Sequence, residues 1–124
     1  MEYRLIKKPE GSYVACQPPE GGIKSERDAL DLMGFCGEHE THNLLLEAGG
    51  LGEAFTNLRT GVAGDVLLKF VNYRMRVAAV MTPEAVGDGR FSEFASETNK
   101  GAHFRIFYDR ADAEIWLLNS SAMR

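Results

Sequence analysis

Residues 58–73, LRTGVAGDVLLKFVNY, combine glycines, a threonine and a lysine in an order that could hold a phosphate. A P-loop has the pattern G-x-x-x-x-G-K-S/T, in which the lysine and hydroxyl directly follow the second glycine. Here Gly61 and Gly64 are separated by Val-Ala alone, and Lys69 is followed by phenylalanine. The G-x-G-x-x-G pattern of dinucleotide-binding turns does not follow any predicted strand. The stretch is therefore not predicted to be a nucleotide-binding loop.

A second group of chemically useful side chains comes from two separate segments of the chain. The group consists of Arg59, Lys69, Asn72, Glu97 and Asn99. If the two segments fold side by side, these groups form a candidate polar site for an anion or a small molecule. The structural alternative is that Glu97 pairs with Lys69 or Arg59 and that Asn99 ends a helix. Ion pairs of this kind also arise without function, so both interpretations stay open.

Metal and nucleophile patterns give weaker indications. In HETH at 39–42 the histidines are one residue closer than in the zinc-binding motif H-E-x-x-H, so we expect them to lie exposed in a loop. Cys16 and Cys36 have no adjacent histidine or basic residue that would activate a thiolate. We expect both thiols to be reduced, buried and structural. The sequence predicts no catalytic residue, no metal and no cofactor.

Composition and charge restrict the class of protein further. The chain has 124 residues and a net charge of −4, which suit one domain spanning 1–124, and it has no clustered basic block of the kind that binds nucleic acid. The charged opening MEYRLIKKPE is unlike a signal peptide, and no apolar run has the length of a membrane span. We therefore expect a cytoplasmic protein that binds neither nucleic acid nor membranes.

The elements that would position these side chains alternate along the chain. Short apolar runs bounded by glycine or proline predict five strands, at 3–8, 11–17, 43–48, 76–81 and 103–108. The first two read as a hairpin, and GGLG at 49–52 reads as a flexible connection. Ser25, with Asp28 in the capping-box position, predicts a helix to about residue 38. Helices are also predicted at 93–99, capped by Ser92 and ended by a left-handed Gly101, and at 111–119, while 84–89 reads as a loop.

The opening stretch is predicted to be one long amphipathic helix. Phe55, Leu58, Val62, Val66, Phe70 and Tyr73 recur at helical spacing along one face. Gly61 and Gly64 each cost about 1 kcal/mol relative to alanine inside a helix. That cost suggests a reason, which is either close helix–strand packing or a backbone left open near a ligand; packing is the favoured interpretation.

Strands that alternate with helices require crossover connections and a largely parallel sheet. The opening hairpin makes the sheet mixed, and the apolar strands indicate helices on both faces. The predicted fold class is α/β, with a central mixed sheet of five strands flanked by about four helices in the order β-β-α-β-α-β-α-β-α.

The chain resembles a bacterial family of uncharacterised proteins, domain of unknown function 4180. The resemblance is carried by DALDLM, FTNLRTGVAGDVLLKFVNYRMRVAAV, FASETNKG and ADAEIWL, which cover most of residues 28–118. The central motif of the family is similar to L-K/R-T-x-x-A-G-E-x-L-Q-K-F-x-N-Y. The chain departs from it at Asp65, where the family usually has glutamate, and at Leu68, where it usually has glutamine.

This resemblance implies a fold similar to STAS domains, the sulfate-transporter and anti-sigma-factor-antagonist module. Such domains are mostly non-enzymatic and bind partner proteins, and some are switched by phosphorylation at the start of the helix after the third strand. By that implication Thr60 and Gly61 form a candidate regulatory or anion site, because a helix start favours anions. The alternative, which we favour, is that the Thr60 hydroxyl caps its own backbone.

Two functions of different classes follow from these observations. The favoured one is a non-enzymatic STAS-like regulatory module that binds a protein partner of unknown identity. The alternative is an anion-binding or small-molecule-binding protein, or a small enzyme, that uses Arg59, Lys69 and Glu97. A concave polar pocket at these residues would favour the alternative, and a convex surface with Thr60 exposed would favour the partner. The sequence leaves open whether the chain forms a homo-oligomer.

Overall fold

A computed structural model describes residues 2–17, 20–47 and 51–122 of the chain, with side chains to residue 119. The strands are β1 Glu2–Lys8, β2 Gly11–Gln17, β3 Asn43–Leu46, β4 Arg76–Val80 and β5 Phe104–Phe107. The helices are α1 Glu26–Glu38, α2 Gly52–Thr56, α3 Val62–Asn72, α4 Pro83–Val86, α5 Arg90–Thr98 and α6 Arg110–Ala122. A short 3-10 turn, Leu58–Thr60, lies between α2 and α3.

The strands form one sheet in the order β1-β2-β3-β4-β5. The hairpin β1–β2 is antiparallel, and the remaining neighbours are parallel, with Val14 opposite Leu44 and Leu44 opposite Val77. The α/β class and the mixed five-stranded sheet are thereby confirmed. The described residues contain six α-helices instead of about four, because the predicted long helix is divided and a short helix occupies a predicted loop.

Helices cover both faces of the sheet, but unequally. Because the parallel strands follow each other in spatial order, right-handed crossovers put the intervening helices on one face. The larger core cluster lies there and includes Leu32 of α1, Phe55 of α2, Phe70 of α3 and Phe91 of α5. The smaller cluster lies under α6, where Leu117 packs with Tyr13 and Leu45. Within the described residues, no helix is long and apolar enough to cross a membrane.

Polar contacts fix α6 to the sheet at the carboxyl ends of the strands. Arg110 donates to Glu47 at 2.7 Å, and Arg4 of β1 lies 3.2 Å from the same carboxylate oxygen. Lys8 of β1 lies 3.9 Å from the Glu114 carboxylate of α6, which also accepts the hydroxyl of the buried Tyr13. The first and last elements are thus joined through shared carboxylates, which closes the α6 side of the sheet.

The prediction of one continuous helix over 55–73 was wrong. Gly61 adopts φ 81° and ψ −6°, a left-handed conformation that an α-helix cannot contain, and Asn57 is extended with ψ 98°. The apolar spacing persists across the break, so Phe55, Val66 and Phe70 still reach one core. Tyr73 is the exception, because it follows the last turn of α3 and is 54% exposed.

The predicted reason for the two helical glycines was also wrong. A Cβ atom added at Gly61 or Gly64 would meet no atom within 4 Å, so neither position requires close packing. The close approach occurs instead between Gly22 and Gly52. A Cβ on Gly22 would lie 2.3 Å from the Leu51 carbonyl oxygen, and one on Gly52 would lie 2.2 Å from the Gly21 carbonyl oxygen. Gly52 begins α2, while the rest of the predicted flexible connection lies largely outside the described residues.

Smaller corrections concern the region after β4. Residues 84–86, predicted as part of a loop at 84–89, belong to α4, because Thr82 accepts the Ala85 amide and Pro83 occupies the first helical position. Helix α5 begins at Arg90, before the predicted cap Ser92. Gly101 is not left-handed, since its φ lies outside the positive range, and Asn99, which follows the last residue of α5, has φ −68°.

Candidate functional site

Thr60 and Gly61 lie together at the start of α3, and both are exposed. Thr60 Oγ1 donates to the Ala54 carbonyl at 2.5 Å, lies 3.0 Å from the Asn57 carbonyl and accepts the Val62 amide at 3.2 Å. The hydroxyl therefore connects the end of α2 to the first amide of α3. This is a local capping arrangement on an exposed side chain.

Arg59 lines a cavity of about 530 Å³ at the carboxyl ends of the parallel strands. Arg90 and Asp88 line it from the opposite side, in the loop between α4 and α5. The carboxyl edge is where open parallel sheets usually bind ligands. Neither Lys69 nor Glu97 lines this cavity.

The other predicted polar residues do not converge on one site. Lys69 lies 3.8 Å from Glu26 of α1, and Glu97 lies 2.9 Å from Lys100 on its own helix. The Asn99 side chain forms a bidentate contact with Ile106, donating to its carbonyl at 3.1 Å and accepting its amide at 2.7 Å. Asn72 is exposed in the last turn of α3. The pairs proposed from sequence are thus replaced by a helix–helix pair, a local pair and a helix-to-strand contact.

The outer face of α3 carries an apolar strip formed by Gly64, Leu68 and Val71. These positions are spaced by four and three residues, so they align along the helix axis. Leu68 is 57% exposed and Val71 is 44% exposed, while Gly64 presents bare backbone. We call this surface the α3 strip; Thr60 lies just before its amino end.

A larger cavity, of about 910 Å³, lies at the amino ends of the parallel strands, opposite the predicted site. The loop after α1 contributes Glu40 and His42, the end of α3 contributes Val71 and Arg74, and the starts of β4 and β5 contribute Arg76 and His103. An adjoining cavity of about 380 Å³ shares Glu40, Thr41 and His42 and is otherwise lined by Met33, Gly37, Tyr73 and Met75.

Two histidines at this larger cavity have defined orientations. His42 Nδ1 lies 3.2 Å from the Tyr73 carbonyl and His103 Nδ1 lies 2.8 Å from the Met75 carbonyl. A carbonyl only accepts, so each neutral imidazole carries its proton on Nδ1. Nε2 of each ring is then an acceptor. No group of three or more histidine, cysteine, aspartate or glutamate side chains within the described residues is arranged to hold a metal ion.

The two cysteines lie in the core, where the Cys16 thiol donates to the Gln17 carbonyl and the Cys36 thiol to the Asn43 carbonyl. Burial raises the pKa of Cys16 to about 11, and burial together with the nearby Cys16 raises the pKa of Cys36 to about 12. Both thiols therefore stay protonated at neutral pH, which argues against a nucleophilic role.

A family model described as Domain of unknown function (DUF4180) matches residues 9–117. The chain belongs to this family. The resemblance inferred from the central motif is thereby confirmed, and it extends over nearly all of the described fold. No curated protein and no solved structure matches the chain significantly. The description of the family names no activity.

Sequence reasoning missed the residues of the larger cavity. In the sequence Arg74 and Arg76 form only a local basic pair, and His42 was predicted to lie exposed in a loop. Their convergence depends on parallel pairing of β3, β4 and β5. One signal was present in the sequence. The predicted ends of α1 and α3 are followed by Glu40 and Arg74, at positions where glycine usually stands.

Proposed function

We propose that this family member is a STAS-like regulatory module of the bacterial cytoplasm that has no enzymatic activity and binds a protein partner through the α3 strip. The observation that carries the proposal is the exposure of Leu68 and Val71 beside Gly64 on one helix face. Burial of such side chains against a partner lowers the free energy, because apolar surface is removed from water. Clustered exposure of this kind marks interaction sites more often than isolated surface residues do.

The position of Thr60 supports a regulatory part in the same proposal. Its side chain is exposed immediately before the strip, at the amino end of α3. A phosphate on Oγ1 would remove the hydrogen bond to the Ala54 carbonyl and place negative charge at the positive end of the helix dipole. The modification would thus alter both the α2–α3 connection and the charge next to the strip.

The alternative function, anion binding around Arg59, has narrower support. Arg59 and Arg90 flank one cavity, but Lys69 and Glu97 bond elsewhere. An anion site there would therefore depend on the two arginines alone.

The test is crosslinking in the native host. A photoreactive residue at position 68 should give one discrete protein adduct, and the same residue at 115 should not, because Ile115 is equally exposed at 56% but lies on α6 across the sheet. Leu68→Gln combined with Val71→Gln should abolish co-purification of that protein, while Ile115→Gln should not. Intact-mass analysis of the same preparations reports phosphate on Thr60. No adduct at 68, or the same adducts at both positions, would refute the proposal.

A further inference from the structure

Within the described residues, the only non-glycine residues with positive φ are Glu40, at 55°, and Arg74, at 57°. Each occupies the left-handed position after a helix. The Glu40 and Thr41 amides donate to the Gly37 and Cys36 carbonyls, which ends α1 in a Schellman motif. The Arg74 and Met75 amides donate to the Val71 and Phe70 carbonyls and end α3 in the same way.

Glycine is the residue that adopts this conformation most readily, so each side chain is held in an unfavourable backbone state. Both of these side chains line the same large cavity. Strained residues cluster at functional sites, so two of them at one cavity indicate that their side chains are needed for binding.

The charges of the two residues are opposite, yet they do not neutralise each other. Neither Glu40 nor Arg74 forms an ion pair within 4.0 Å anywhere in the described chain. Arg76, the other arginine of this wall, donates to the Ala102 carbonyl at 3.0 Å, and its guanidinium lies 4.1 Å from the centroid of the Trp116 ring. Glu40 and Arg74 are therefore the anion and the cation that the wall offers to a ligand, and a ligand that carries both charges fits them.

Two further features favour a cationic group near Glu40. Helices α1 and α3 both end at this cavity, and the carboxyl end of a helix carries partial negative charge. His42 presents Nε2 as an acceptor because Nδ1 donates to the Tyr73 carbonyl. A simple anion would meet these acceptors and dipoles unfavourably, whereas an ammonium group would satisfy them.

The adjoining smaller cavity offers a place for an apolar part of the ligand. It shares Glu40 and His42 with the charged cavity, and Met33, Tyr73 and Met75 line the rest. Methionine side chains adapt to apolar groups of varied shape. An apolar substituent next to the ammonium group would therefore lie against them.

From these observations we infer that the cavity binds a free α-amino acid with an apolar side chain. Arg74 binds the carboxylate, Glu40 and His42 Nε2 bind the ammonium group, and the side chain lies against Met33 and Met75. This site shares Val71 with the α3 strip but includes neither Leu68 nor Thr60. Titration with an amino acid does not depend on partner binding, so either proposal can fail without the other.

The ligand class is tested by calorimetric titration of the whole protein with leucine, isoleucine, valine, methionine and phenylalanine. For the amino acid that binds most tightly, the matched acid without the ammonium group and the matched amine without the carboxylate should each bind at least about 10-fold more weakly, as expected for loss of a charged hydrogen bond. For leucine these analogues are 4-methylpentanoate and isoamylamine. Absence of binding by all five amino acids, or equal binding of an analogue, would overturn the inference.

Arg74→Gly separates binding from folding. We expect it to weaken amino-acid binding at least about 10-fold and to raise the thermal unfolding midpoint, because glycine relieves the left-handed strain. Arg27→Gln is the control, since Arg27 is 82% exposed on α1 outside the cavity and should leave binding unchanged. An Arg74→Gly variant that binds as the wild type does, or that unfolds at a lower temperature, would contradict the assignment.

Discussion

At the residue scale, some polar side chains of this protein cap backbone groups and others line a cavity. The residue type alone does not show which role a side chain has. Thr60 and Asn99 are tied by hydrogen bonds to nearby backbone, whereas Glu40 and Arg74 hold strained backbone beside a cavity. Thr60 was recognisable from sequence because its contacts are local. The cavity residues were not recognisable as a group, because the three segments that carry them meet only through strand pairing.

The cysteines give a prediction at this scale. Because Cys36 keeps its proton to about pH 12 when folded and releases it near the ordinary value of 9.0 when unfolded, the folded state loses stability as pH rises between these values. The loss for one thiol is at most about 1.4 kcal/mol per pH unit. Chemical denaturation at pH 8 and pH 10 should therefore show a smaller decrease for Cys36→Ala than for the wild type. Identical decreases would mean that the thiol is not buried as described.

At the scale of elements, the stretch at 55–73 shows that apolar periodicity indicates which side chains are buried but not where the backbone breaks. The three- and four-residue spacing identified the buried side chains of α2 and α3, including Phe55, Val66 and Phe70. It did not reveal the break at Gly61, since apolar side chains on two successive helices can retain one spacing. Lys69 likewise bonds Glu26 because α1 packs beside α3, a contact that no local pattern specifies.

Two glycines at helix starts provide a matched test. Gly52→Ala should destabilise the fold by about 2–4 kcal/mol, because φ is 78° and the new Cβ would lie 2.2 Å from the Gly21 carbonyl oxygen. Gly64→Ala, with open space around the Cβ and ordinary φ, should stabilise it by about 0.5–1 kcal/mol. Urea unfolding measures both free energies. A Gly52→Ala variant as stable as the wild type would exclude the close approach of Gly22 and Gly52.

At the scale of the whole molecule, the two faces of the sheet differ in how many helices cover them, so the helices differ in how much of the fold depends on each. Several helices share the larger cluster, whereas α6 alone covers the strands on the other face among the described elements. The first and last elements also meet there, since Arg4 and Arg110 share Glu47 and Lys8 pairs with Glu114. Loss of α6 packing should therefore lower the stability of the whole sheet.

Leu117→Ala tests this dependence. Leu117 is fully buried, so its truncation should lower the free energy of unfolding by about 2–5 kcal/mol, as for other large-to-small core changes. Ile115→Ala, on the exposed side of the same helix, should change it by no more than about 0.5 kcal/mol. Denaturant unfolding followed by far-UV circular dichroism measures both variants. Similar effects for the pair would show that α6 is not packed on the sheet as described.

The sequence by itself determined the α/β class, the opening hairpin, the strands and the family, because apolar runs bounded by glycine or proline, apolar residues at helical spacing and a contiguous motif are local properties. It also placed Thr60 near the start of the helical stretch that contains α3. Only the tertiary structure decided which polar groups meet. It separated Lys69 from Glu97 and brought Glu40, His42, Arg74 and His103 to one cavity. Side chains far apart in the chain become neighbours through strand order and helix packing, and those relations are not written in any single segment.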